Sequence, residues 1–158
     1  MNEKPKSRLY EVRLDEATLP RLATDQDHER AVAIFDLVED NSFALDGRDD
    51  GPYSLTIGQA EAKLNFFVRT EAGETAAEFS VSMTPFRPLL KDYFLVCETY
   101  YNAIRTASPR EIEAIDRERT GLHNEGADLL VARVADKVEI DAGTARRLFT
   151  LISALHWK

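Results

Sequence analysis

The spacing of apolar and polar positions along this chain changes from alternating to helical and back more than once. From Arg8 to Leu14 it alternates, with Tyr10, Val12 and Leu14 on one side and Glu11 and Arg13 on the other, which predicts a half-buried strand. Residues 15–23 carry no assignable pattern. Ala31, Ile34, Phe35 and Val38 then recur at helical spacing and predict one apolar stripe through about residue 39. Thr24 or Asp25 can cap that helix, and Asp25, Asp27 and Glu29 fall in its first turn, where the helix dipole favours negative charge.

Alternation returns in the middle of the chain. Ser42–Asp46 predicts a short strand closed by Gly47–Pro52. Tyr53, Leu55 and Ile57 predict the next strand, Leu64, Phe66 and Val68 another, and Ala77, Phe79, Val81 and Met83 a third, with turns at Gly58–Glu61 and Glu71–Glu74. Connections this short make hairpins, hence an antiparallel sheet with one wet face. Phe67 interrupts the polar side of that alternation, so part of the wet face is expected to be covered.

The second half is helical. Thr84-Pro85 reads as a cap followed by proline in the first turn. Phe94, Cys97 and Tyr101 belong to a wide apolar stripe behind it, and this helix is expected to be the central one. Ser108-Pro109-Arg110-Glu111 is a capping box that opens another helix. Asp141 caps the last, whose Ala145, Leu148, Phe149, Ile152 and Leu155 form a clean stripe. Phe94, Cys97, Tyr101, Phe149 and Ile152 are expected to be buried together. Residues 109–136 read either as one helix or as two that meet at Gly121–Gly126. The break is favoured, because two interior glycines cost roughly 2 kcal/mol relative to alanine. The fold class is therefore α+β: an antiparallel sheet of four to five strands, formed by the N-terminal strand and the central meander, packed against four to five helices. Residues 1–6 are expected to be disordered and 7–158 to form a single domain.

Charge sharpens this picture. The net charge is −8, and it is lopsided: residues 1–84 hold nine Lys/Arg against 17 Asp/Glu, whereas residues 85–158 hold 11 of each. An acidic front half repels phosphate backbones, which argues against nucleic acid as a partner. The apolar runs fall short of the ~20 residues a membrane span needs, and the charged N-terminus lacks the apolar region of a secretory signal. One cysteine, Cys97, allows no internal disulfide and fits a reducing cytoplasm.

The densest chemistry lies in the tract Asp116–Gly126. Arg117 and Arg119 supply fork-shaped donors and His123 and Asn124 adaptable ones, while Gly126 would open a helix N-terminus with free backbone N–H groups. With Arg146 of the pair Arg146-Arg147, these residues are the candidates for a small-molecule or anion site. The plainer account is a helix corner, in which Asn124 and Glu125 cap the following helix and the arginines pair with Asp116 and Glu118. Adjacent residues on a helix point about 100° apart, so only one of Arg146 and Arg147 can face such a site. His28, His123 and His156 lack the short ligand spacing of a zinc motif, and no metal or cofactor is expected. Asp25, Asp27, His28 and Glu29 read as a helix's first turn rather than as a hard-metal site. Cys97 sits on an apolar stripe and reads as a small hydrophobe, not a nucleophile.

Five collinear blocks carry a resemblance: Glu29–Leu37, Thr84–Arg87, Lys91–Phe94, Gly121–Gly126 and Thr144–Leu151. Together they resemble an uncharacterised family of small alphaproteobacterial proteins, from about residue 8 to the end of the chain. The resemblance implies a bacterial cytosolic origin and carries over no activity, cofactor or functional residue. The preferred expectation is thus a non-enzymatic cytoplasmic module that binds another protein, with His156-Trp157-Lys158 placing an aromatic near the chain end. The alternative is a small-molecule or anion-binding domain, possibly an enzyme, centred on Arg117, Arg119, His123, Asn124 and Arg146.

Overall fold

The alternation of the central residues becomes three antiparallel strands in the computed structural model of the chain, which describes residues 5–19 and 24–156, with the backbone alone for 24–26. These strands are β3 (Tyr53–Ala60), β4 (Lys63–Thr70) and β5 (Thr75–Ser82). The register sets Ile57 beside Phe66 and Phe66 beside Phe79. Tyr53, Leu55, Ile57, Leu64, Phe66 and Val68 are thereby buried on one face. Ser54, Thr56 and Asn65 on the other face are half-buried, and so is Phe67. The first hairpin is tighter than expected: Gly58–Ala60 stay in the strand, and Glu61, at φ 58, makes the turn with Ala62.

The sheet is mixed, not antiparallel throughout. Strand β1 (Leu9–Leu14) lies parallel to β3, in the order β1-β3-β4-β5. Its connection runs through helix α1 (Thr24–Glu39), and a helical crossover returns the chain in the same direction. Alternation records which residues share a face and is silent on strand direction. A register shift between Leu9 and Glu11 also turns Leu9 and Val12 inward, leaving Tyr10 and Leu14 half-buried. The short strand expected at 42–46 shrinks to β2 (Ala44–Leu45). It pairs outside the main sheet with β6 (Val138–Glu139), a strand the pattern did not reveal.

A 3-10 turn at Thr84–Phe86 leads into α2 (Arg87–Thr106), so Thr84 lies in the turn rather than capping the helix. Helices α3 (Pro109–Val134) and α4 (Ala142–His156) follow. The caps predicted for these two helices are in place: Ser108 Oγ accepts from the Glu111 N–H at 3.3 Å, and Asp141 Oδ1 from the Thr144 N–H at 2.7 Å. The expected break at Gly121–Gly126 is absent, and α3 runs straight through. Gly126 is buried against α4, where a Cβ would collide with the Phe149 ring, so glycine lets two helices approach closely there. Gly121 faces open space and costs only propensity. Asn124 therefore sits exposed in mid-helix and caps nothing, and Gly126 opens no helix N-terminus.

The central helix is α4, not α2. Leu148, Phe149, Leu151, Ile152 and Leu155 are all buried. On α2 the expected core set divides: Cys97 is buried and Phe94 half-buried, but Tyr101 is 53% exposed. The stripe on α2 is wider than one contact surface, so its outer edge is left uncovered. The phase of α1 is likewise rotated. Arg30, Ala33 and Leu37 are buried, whereas Ala31 is exposed and Phe35 is 66% exposed. The side chains of the expected cap at Thr24 or Asp25, residues 1–4 of the expected disordered segment, and Trp157-Lys158 lie outside what the structure describes. No helix among those described is long and apolar enough to cross a membrane.

Candidate functional site

Helical phase decides which side chains share a surface. On α1, residues 28, 29, 32, 33 and 36 follow the i, i+4, i+8 rule and form one face. On α2, Tyr93, Cys97 and Tyr101 do the same. These two faces look at each other across Thr150, Ser153 and Ala154 of α4, enclosing a groove of about 340 Å³. The α1 wall adds Glu29 and Asp36 to Val32 and Ala33, while the α2 wall is aromatic and thiol.

Its interior is electrostatically quiet. Burial pushes the Cys97 thiol up, opposed by its hydrogen bond with Tyr93 and by Arg119, so the sulfur stays protonated at neutral pH and is a poor nucleophile. Burial pushes the Tyr93 phenol up as well. His123 reaches the same floor from α3. Its ring stands 5.2 Å from Phe149 and 5.6 Å from Tyr93, and Nε2 lies 2.7 Å from Thr150 Oγ1. That hydroxyl already donates to the Arg146 carbonyl at 3.0 Å, so it accepts from His123 Nε2–H, which fixes the neutral tautomer. Burial, together with Arg146 and Arg119, lowers the His123 pKa.

The sequence candidates separate. Arg119 is bound to Asp116 at 2.5 Å and its guanidinium lies 4.0 Å from the centroid of the Tyr100 ring; despite burial, the Asp116 hydrogen bond holds its pKa up. Arg117 is exposed. Arg147 ties α4 to the end of α1, donating to the Asp40 carbonyl at 3.0 Å and to its carboxylate at 3.3 Å. Arg146 instead borders a second, shallow cleft of about 460 Å³ with Asn124 and Asp128. Of the five candidates, then, Asn124 and Arg146 share a surface, Arg119 and His123 lie one turn apart on the α3 face toward α2 and α4, near enough for Arg119 to act on His123 and Cys97, and Arg117 stands apart. The groove residues Val32 and Tyr101 were not among them. Their signal was present all the same: α1 and α2 each carry more apolar residues than one buried arc holds.

The sequence model described as Uncharacterised protein family (UPF0262) matches residues 6–158. The chain belongs to that family. The chain is 57% identical over 152 residues to a UPF0262 protein of Methylobacterium radiotolerans, covering 96% of this chain and 94% of the relative. It is 56% identical over 156 residues to one of Xanthobacter autotrophicus, covering 98% and 95%, and 54% identical over 151 residues to one of Rhizobium etli, covering 96% of each. These relatives are alphaproteobacterial, as the motif blocks implied. No solved structure matches the chain. The match is to a family rather than to an activity, so the functional reading rests on the geometry.

Proposed function

We propose that this UPF0262 protein is a non-enzymatic, cytoplasmic binding module that takes an apolar segment of another protein into the groove between α1 and α2. One observation carries the reading. The large apolar side chains left exposed among the described residues, Val32, Phe35, Leu95, Tyr101 and Ile104, all lie on those two helices. Val32 and Tyr101 line the groove, and Ile104 extends the Tyr101 stripe by one turn. Exposed apolar surface gathered around a concavity with a polar rim is the usual mark of an interaction site. The protonated thiol argues against nucleophilic work there.

The test is site-dependent capture in an alphaproteobacterial host. A partner held by the wild-type protein should be lost by the Val32→Asn, Tyr101→Asn variant and kept by Leu95→Asn, since Leu95 points away from the groove. Capture that ignores all three substitutions would refute the reading. A second reading, a small-anion site, draws on the cleft shared by Asn124 and Arg146. Asp128 in the same cleft works against it.

A further inference from the structure

The two walls of the groove differ in charge. Glu29 and Asp36 on the α1 side are exposed, and among the described residues neither has an ion pair. The α2 side, Tyr93, Cys97 and Tyr101, contributes no carboxylate and no basic side chain. Arg30 is the one arginine or lysine of α1 and is turned inward at 8% exposure, while the groove on this side is also lined by His28. Asp27 and Glu39 extend the acidic character of the helix at either end. Among the described residues no lysine or arginine lines the groove.

Resting on the protein-binding reading, we propose that the occupant is an amphipathic helix of a partner protein with lysine or arginine along one flank. Its apolar face would lie on Val32, Tyr101 and Ile104. Its basic flank would meet Glu29 and Asp36. Those carboxylates are two helical turns apart, about 10.5 Å along α1, so the partner's cations recur at a seven-residue interval on a helix laid alongside. A second copy of this chain fits worse, since the described lining of the groove offers no lysine or arginine to meet the partner copy's Glu29 and Asp36.

The probe is a synthetic amphipathic peptide of leucine and lysine, with its leucine–glutamate twin as control, followed by fluorescence anisotropy on the full chain. The leucine–lysine peptide should bind and its twin should not. Glu29→Gln with Asp36→Asn should weaken binding about 2- to 30-fold, the range for two partly exposed ion pairs. Glu71→Gln with Asp136→Asn removes the same charge from exposed positions elsewhere and should change nothing. Equal loss in the two pairs overturns the proposal, because net charge alone then attracts the peptide. Binding of either peptide that responds to Val32→Asn and Tyr101→Asn but not to Glu29 and Asp36 also overturns it, while leaving an apolar protein-binding groove intact. Absence of peptide binding, with a dimer that the Val32→Asn, Tyr101→Asn variant dissociates, assigns the groove to a second copy and overturns it as well.

Discussion

Gly126→Ala is expected to destabilise this fold, although alanine is the best helix former and glycine nearly the worst. Two effects of opposite sign meet at this position. Relieving an interior glycine contributes about 1 kcal/mol of stability. The new Cβ, however, would overlap Cε1, Cζ and Cε2 of Phe149. That ring is fully buried and flanked by Tyr93 and His123, so it has no free volume into which to move. Overpacking a core typically costs about 1–3 kcal/mol. The net is a loss of up to about 2 kcal/mol, or a fall in Tm of up to about 8 °C at this chain length. Gly121→Ala isolates the first effect, because nothing lies near a Cβ there. It should raise Tm by about 2–4 °C. Urea unfolding of both variants reads the overpacking cost directly as the difference between them, with propensity cancelling. Phe149→Leu should cost less in the Gly126→Ala protein than in the wild type, by about 0.5 kcal/mol or more if the two side chains collide. Equal stabilisation by the two glycine replacements would refute the close approach of α3 and α4.

His123 makes the fold acid-sensitive. Its folded pKa lies below the ordinary value of 6.5, owing first to burial and then to Arg146 and Arg119. On acidification the unfolded chain therefore takes up the proton first, so this contribution is intact above pH 6.5 and is lost as the pH falls toward the folded pKa. His123→Gln, which keeps a donor for Thr150, should reduce the slope of the stability–pH curve between pH 7 and 5, leaving the share due to His156, whose pKa burial also lowers, and an unchanged slope in urea melts would contradict the assignment. On the protein-binding reading, inorganic phosphate at matched ionic strength should give no stabilisation that Arg146→Gln removes. A saturating anion site would instead add about 2.7 kcal/mol at one hundred times its dissociation constant, and that outcome would favour the Asn124–Arg146 cleft.

The period of the apolar pattern was legible in the sequence, and its phase was not. Alternation located β3, β4 and β5, and the caps at Ser108 and Asp141 placed α3 and α4 to within a residue. What failed depends on neighbours that a local pattern does not name. The direction of β1 follows from the crossover through α1, and β6 exists because β2 is there to pair with it. The tract around Gly121 and Gly126 looked like a break because propensity was weighed without Phe149, the contact that makes one of those glycines necessary. The same limit explains why Arg117, Arg119, His123, Asn124 and Arg146 were grouped by sequence density and then divided by the fold into Arg119 with His123, Asn124 with Arg146, and Arg117 alone, since neighbours on a helix surface are three and four residues apart rather than adjacent. On α1 the stripe Ala31, Ile34, Phe35, Val38 and the face Arg30, Ala33, Leu37 have the same period, and only packing on α4 selects the second. The helix nevertheless carried a readable surplus. It has apolar residues for two arcs, and one contact buries one arc. What remains is apolar surface this fold leaves open, Val32 and Tyr101 on the groove itself and Phe35 and Ile104 exposed on the same two helices.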